Sequence, residues 1–399
     1  MPCEAPPKLS VPSCKGPMIH DSNDKGKVFC PYCRRKRKRE LEGIQRQIQR
    51  NNDRLQFVQK LSTTEGLTGA SLQRQVTAKA EQVLIDLFDD AAMGAGRMPA
   101  DFALMCCGSM ARREMVTFSD IDAVLVLSNN EPRTLEHFSA IVETMGSRLT
   151  FAGGHLTNFQ FCPTGLSPRF FCNTVEVLID QALDSNAGDH VRGALFTRLT
   201  YGHPMWAAKY QKACEKALES GGGHKQEALH QLQGILAKRR DEWKLPGNDD
   251  LYVDVKAQIY RPAHMIANEL GMYYNVKGES TRDIILRLVE RKKMSLQTAN
   301  LFMQVLEDYA KVTTAHQLQR GREEHWVRLR PVRPTDPDGE ALKQIPLAPP
   351  GQIAAIREAA QRVAILWKMA DVFVEEKNKK FALRKHNPFT SRKPFVDYA

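Results

Sequence analysis

The 399-residue chain has no run of eighteen apolar residues, and its first residues lack the apolar segment of a secretory signal. A membrane-spanning helix needs about twenty such residues, so no membrane partner is expected, and a cytoplasmic or nuclear location follows by default. A disulfide framework is missing too. The nine cysteines are odd in number and two of them, Cys106 and Cys107, are adjacent inside an apolar run, so reduced thiols are expected. Aromatic residues are few, at 8 %, yet hydrophobic residues reach 42 %, charged residues 26 %, and mean hydropathy is -0.43. That is the composition of a globular chain long enough for two or three domains. Acidic residues are in deficit: 57 Lys and Arg against 46 Asp and Glu give a net charge of +11, which favours nucleotides, nucleic acid or acidic proteins as partners.

One stretch organises the rest. An apolar run from Phe102 to Cys107 stops at Gly108-Ser109, and a second, Ile121 to Leu127, begins inside the triplet Asp120-Ile121-Asp122. This pattern predicts two buried strands joined by a loop or a short helix. Alternate residues of a strand share a face, so Asp120 and Asp122 project together, and paired carboxylates repel unless a cation lies between them. Hard oxygen donors at this spacing suit Mg²⁺ (or Mn²⁺) carrying a nucleoside triphosphate. Gly108 lets its backbone approach phosphate oxygens, and Ser109 offers an N–H and a hydroxyl.

Gly-Ser, ten intervening residues and Asp-x-Asp on a buried strand resembles the signature of the DNA polymerase β-like nucleotidyltransferase superfamily. The fuller string GSMARREMVTFSDID is similar to the nucleotidyltransferase domain of PII uridylyltransferase, and equally to related nucleotidyltransferases often found behind CBS domains. Arg112 and Glu114 stand at matching positions. The resemblance implies catalytic and metal-binding roles for Asp120 and Asp122, and nucleotide contacts from Gly108, Ser109 and Arg112. Two readings of Arg112 stay open, phosphate contact or ion pairing with a supporting Glu114. The superfamily usually takes a third carboxylate from a later strand, and Thr174 to Ile179 reads as such a strand, which makes Glu176 or Asp180 the candidate. The segment ALFTRLTYGHPMW departs from its family counterpart, in which an acid precedes the Arg; here Thr197 precedes Arg198, which weakens the case for turnover. A looser similarity through Asp254-Val255-Lys256, Gly271, Ser280-Thr281-Arg282 and His316-Gln317 implies that Lys256, and with it Asp254, faces the nucleotide; a solvated helix position is the alternative.

Helical periodicity dominates elsewhere. Glu40–Leu61 places Leu41, Ile44, Ile48, Leu55 and Val58 at three- and four-residue steps, and Ser71–Ala92 carries a second apolar stripe. Further helices are expected over Pro132–Leu149, His230–Trp243, Tyr252–Tyr273, Ser280–Glu290 and Leu296–Gln319, with a strand over Thr157–Cys162. The expected organisation is a basic, Cys-containing disordered tail over 1–38, N-terminal helices over 39–95, a nucleotidyltransferase domain over 96–220, a helical bundle over 224–325, a Pro-rich linker over 326–351, a last helix over 352–384 and a tail over 385–399. The fold class is α+β, a small mixed-sheet nucleotidyltransferase domain followed by an α-helical bundle.

Within the N-terminal tail, Cys30-Pro-Tyr-Cys33 with Cys14 and His20 offers four ligands for Zn²⁺, against unliganded thiols as the alternative. Arg34 to Arg39, RRKRKR, reads as a nuclear import signal, a nucleic-acid patch or a solvated start to the next helix. The resemblance implies NMP transfer, UMP or AMP, from an NTP to a hydroxyl on a protein acceptor. The hydrolase and amino-acid-sensing domains that accompany uridylyltransferases are not expected here. The rival expectation is a scaffold that keeps nucleotide affinity without turnover and recruits nucleic acid or a protein.

Overall fold

The computed structural model describes residues 19–20, 28–29, 31–119, 121–153, 172–184, 197–220, 224–241, 244–247, 249–333, 336, 345 and 347–386. Strand β3 (Phe102–Cys106) and strand β4 (Ala123–Leu127) form an antiparallel pair, with Phe102 opposite Leu127 and Cys106 opposite Ala123. Strand β6 (Arg198–Gly202) pairs antiparallel with the other edge of β3, and β5 (Cys172–Thr174) runs parallel to β4. The result is a mixed four-stranded sheet in the order β5-β4-β3-β6.

Both faces of this sheet are covered, which is why β3 and β4 read as unbroken apolar runs. Leu104, Cys106, Leu125 and Leu127 pack against Leu84, Leu87 and Phe88 of α2 (Gly69–Ala95) and Phe138 and Ile141 of α4 (Pro132–Gly153). The alternate residues Ala103, Met105, Val124 and Val126 pack against α5 (Val175–Asp184) and α6 (Pro204–Ser220) through Leu178, Ala207 and Tyr210.

A second core holds α7 (His224–Asp241), α8 (Arg261–Tyr273), α9 (Thr281–Glu290), α10 (Leu296–Arg320) and α11 (Pro350–His386). The hydroxyls of Ser280 and Ser295 cap α9 and α10, accepting from the N–H groups of Asp283 and Thr298 at 3.1 Å each. A two-stranded ribbon, β7 (Tyr252–Asp254) with β8 (Trp326–Arg328), lies beside the bundle, and a π-helical turn over Val255–Tyr260 joins β7 to α8. The fold is thus α+β, as expected, with α2 and α10 in contact across the two cores.

Several local expectations are corrected. Val175 to Asp184 is helical, not strand: Val175 and Leu178, three residues apart, share the buried side, and a short apolar run carries no periodicity that separates helix from strand. The segment expected as one helix over Tyr252–Tyr273 begins as β7 and a π turn, and the expected linker contains β8, whose Arg328 bridges Leu347. Helix α1 (Pro31–Ser62) starts earlier than expected, after a two-residue ladder between β1 (Ile19–His20) and β2 (Val28–Phe29). It also buries an unexpected stripe. Gln47, Asn51, Arg54 and Val58 face inward while Leu41 and Ile48 are exposed, because Arg54 Nη1 donates to the Thr117 carbonyl at 2.5 Å and Gly43 gives the Arg148 guanidinium room. The strand expected over 157–162 and the tail beyond 386 lie outside the described residues.

Candidate active site

The buried length of β3 delivers Cys107 to the sheet edge, where its N–H donates to the Asp122 carbonyl at 2.7 Å. Gly108 follows with φ +56, a left-handed conformation, and a Cβ built there would overlap Asp122 Oδ2. Only glycine therefore fits without strain and without moving that carboxylate. Helix α3 (Gly108–Ala111) is a single turn, closed by the Glu114 N–H donating to the Ser109 carbonyl at 2.8 Å. Cys107, Gly108, Ser109 and Asp122 are each partly exposed, so they form a notch at the rim of a buried sheet. Burial, and next the Asp122 charge, push the Cys107 thiol well above its ordinary range. Asp120 lies outside the described residues.

The connection from Arg112 to Ile121 is bolted to both cores: Met115 belongs to the sheet-side core and Val116 to the bundle core. Its backbone groups find partners on distant helices. Gln73 Nε2 donates to the Glu114 carbonyl at 2.9 Å, and the Phe118 N–H donates to Gln317 Oε1 at 3.0 Å. The Val116 N–H donates to the Ser119 hydroxyl at 2.9 Å, tightening the turn before Asp120-Ile121-Asp122.

Glu114 is buried and faces the bundle. Its carboxylate accepts from Tyr260 Oη at 2.8 Å, the Thr281 N–H at 2.7 Å, the Thr281 hydroxyl at 3.1 Å and Arg112 Nε at 3.2 Å. Of the two readings of Arg112, the geometry shows an ion pair with Glu114. Burial pulls the Arg112 guanidinium down, but Tyr260 and Glu114 outweigh it and hold the group above its ordinary value. Tyr260 stacks between His264, at 5.1 Å, and Tyr309, at 4.3 Å.

Burial, reinforced by the Arg112 and Arg261 charges, drives the His264 imidazole well below 6.5. The folded state then binds fewer protons than the unfolded one in this window, so His264 contributes stability above pH 6.5 that is lost as pH falls below it. We expect this loss to reach about 1.4 kcal/mol per pH unit for one such group, and urea titrations between pH 7 and 5 on the wild type and on His264→Gln measure it. An unchanged slope in the variant would contradict this assignment.

The remaining candidates separate. Arg198 grips Glu81 of α2 with two guanidinium nitrogens and the carbonyls of Met110 and Ala111 at 3.3 Å each, so it ties the end of α3 to α2. Thr197 is buried beside Cys107, since Cys106 pairs with Arg198. Glu176 is exposed in the first turn of α5, past the end of β4 that lies about 17 Å along the strand from Asp122. Asp180, one turn on, is exposed as well, so the expectation of a third carboxylate from these two is corrected. Lys256 Nζ pairs with Glu323 at 3.3 Å, and Asp254 caps the π turn by accepting from the N–H groups of Lys256 and Ala257. Among the proposed zinc ligands, Cys14 and Cys30 lie outside the described residues; His20 falls in β1 and Cys33 in α1. Sequence reasoning missed Glu81 and Tyr260 as builders of the site, and it quoted Gln317 in the looser similarity without a role for it; each is far along the chain from its partner.

Among the described residues no three His, Cys, Asp or Glu side chains gather as a metal site, and Asp120 is not in that set. The donor chemistry nevertheless suits a hard cation, because the Asp122 carboxylate is partly exposed and pressed against a glycine that leaves it space.

Residues 53–176 match the profile of a family described as "Putative nucleotidyltransferase DUF294". The match takes in Gly108, Ser109, Arg112, Glu114 and the Asp-x-Asp triplet, and it supports a protein of the nucleotidyltransferase superfamily. It stops before β6 and the bundle. No curated protein matches the chain. Among the described residues no helix is long and apolar enough to cross a membrane.

Proposed function

We propose that the protein moves an NMP, UMP or AMP, from an NTP to a hydroxyl acceptor on a protein. The observation that carries this reading is the packing of Gly108 against the Asp122 carboxylate, with Ser109 half-exposed alongside. Asp122, with Asp120, would hold Mg²⁺ or Mn²⁺, which when bound offsets charge on the triphosphate and on the leaving pyrophosphate. Gly108 brings its backbone, and Ser109 its hydroxyl, to the β- and γ-phosphates. Arg198 holds the end of α3 in place under that loop. Arg112, paired with Glu114, orders the same loop from its other side and adds positive charge near the phosphates. In the transfer the acceptor oxygen bonds to the α-phosphorus, the bond to the β-phosphate oxygen breaks, and pyrophosphate leaves with its electron pair while the hydroxyl proton passes to water.

A second reading, a nucleotide-binding scaffold, draws on Thr197, which stands beside Cys107 where the resembled segment carries an acid. The basic stretch Arg34 to Arg39 would then recruit nucleic acid or a protein. Incubation with each α-³²P-labelled NTP, Mg²⁺ or Mn²⁺, and cell lysate separates the two. Transfer predicts label on a macromolecular band with the wild type and loss of it with Asp120→Ala/Asp122→Ala. Label with neither protein, alongside measurable NTP binding, would establish the scaffold.

A further inference from the structure

Beside the notch a cleft of about 350 Å³ opens between the sheet domain and the bundle. Arg112, Arg198, Lys277 and Arg287 line it with Glu215 and Glu279, and the three arginines are paired with carboxylates outside the lining, Glu114, Glu81 and Asp283. Its inner edge includes Thr197, one strand spacing from Cys107, with Asp122 on the opposite strand, which sets the cleft within about 10 Å of Asp122.

The charges divide into two groups. Arg112 and Arg198 are committed at the floor, to Glu114 and Glu81. At the mouth two ion pairs cross between domains: Lys277 Nζ with Glu215 of α6, and Arg113 Nη1 with Glu279 at 3.4 Å. These mouth side chains are 38–66 % exposed. Arg287 is aimed by Nε on Asp283 at 3.1 Å and Nη1 on the Lys277 carbonyl at 2.9 Å. Exposed ion pairs add little to stability and exchange readily with another carboxylate of matching geometry.

We propose that this cleft is the acceptor subsite and takes an acidic peptide segment whose carboxylates replace Glu215 on Lys277 and Glu279 on Arg113 and reach Arg287. A hydroxyl flanked by such carboxylates is then held beside the notch. This rests on the nucleotidyl-transfer reading for the chemistry that follows: the hydroxyl oxygen bonds to the α-phosphorus of the NTP, pyrophosphate departs with the electron pair of the broken bond, and the proton goes to water. The cross-domain carboxylates act as a built-in mimic of the acceptor, so removing one of them strengthens binding, whereas an interaction that was only structural would not change in that direction.

The test is fluorescence anisotropy of a labelled Glu-Glu-Tyr-Glu-Glu peptide on the full chain without nucleotide, beside a Lys-Lys-Tyr-Lys-Lys control. The acidic peptide is expected to bind and the basic one not. Lys277→Glu/Arg287→Glu weakens it at least tenfold, Glu215→Gln tightens it about threefold, and Lys368→Glu, on α11 and outside the cleft, leaves it within twofold. Equal binding of the two peptides, or equal loss from Lys368→Glu, overturns the proposal. So does displacement of the peptide by Mg-free ATP with ATP binding equally weakened by the double charge reversal, which would assign the cleft to the triphosphate. Because the peptide is read without turnover, a negative result here leaves the labelling experiment standing, and a negative labelling result leaves this one.

Discussion

Glu114→Ala is expected to lower the free energy of unfolding by about 3–5 kcal/mol, the range for breaking a buried ion pair at one partner. The carboxylate satisfies four donors, from Arg112, Tyr260 and twice from Thr281, and it is buried. Alanine would leave the Arg112 guanidinium and the first N–H of α9 without their acceptor in a region that water does not reach. A companion variant separates charge from packing. Arg112→Met with Glu114→Gln removes both charges and should recover at least half of the loss, since isosteric replacement of a whole buried pair is often close to neutral. Urea denaturation of the three proteins measures this, and a loss below about 1 kcal/mol in Glu114→Ala would mean that the carboxylate is not what joins the two cores.

The second large effect is on activity. Gly108→Ala should reduce nucleotide incorporation by about a thousandfold, equivalent to roughly 4 kcal/mol of transition-state stabilisation. The left-handed backbone at Gly108 makes alanine unfavourable by about 1–2 kcal/mol, and the added methyl drives the Asp122 carboxylate from its place. If the damage acts through Asp122, then Gly108→Ala/Asp122→Ala is no worse than Asp122→Ala alone. Multiplying effects in the double variant would show that the glycine works by a separate route.

The site was legible in the sequence to the extent that its signals were local. Phe102–Leu127 stood out because two buried strands, a glycine and an Asp-x-Asp triplet lie within one short stretch, and the bundle helices announced themselves by period and by Ser280 and Ser295. Strand β6 did not, because an edge strand with half-exposed residues has no clean alternation. Glu176 was misplaced because Val175–Ile179 is apolar at both helical and strand spacing. The inward stripe of α1 was unreadable for another reason. Gln47, Asn51 and Arg54 look like a solvated face, and a partner that helps make burial of Arg54 acceptable is the distant carbonyl of Thr117. Contacts such as Tyr260 with Glu114 or Phe118 with Gln317 join positions 146 to 199 residues apart, or more than a third of the chain, and no local pattern encodes them.

The bolting of residues 112–121 to four helices, α1, α2, α9 and α10, bears on how the molecule can be taken apart and on the order in which it matures. Thr117 and Phe118 draw their partners from α1 and α10, and Glu114 from α2 and the start of α9. The loop is therefore completed late: during synthesis Phe118 waits for about two hundred further residues before Gln317 arrives. A fragment cut at the boundary near 220 would retain the sheet but lose the groups that shape the approach to Asp122. On the proposed transfer reading, the nascent protein gains activity only once its bundle has docked, and a truncation before Gln317 loses it even where every residue of the motif is present.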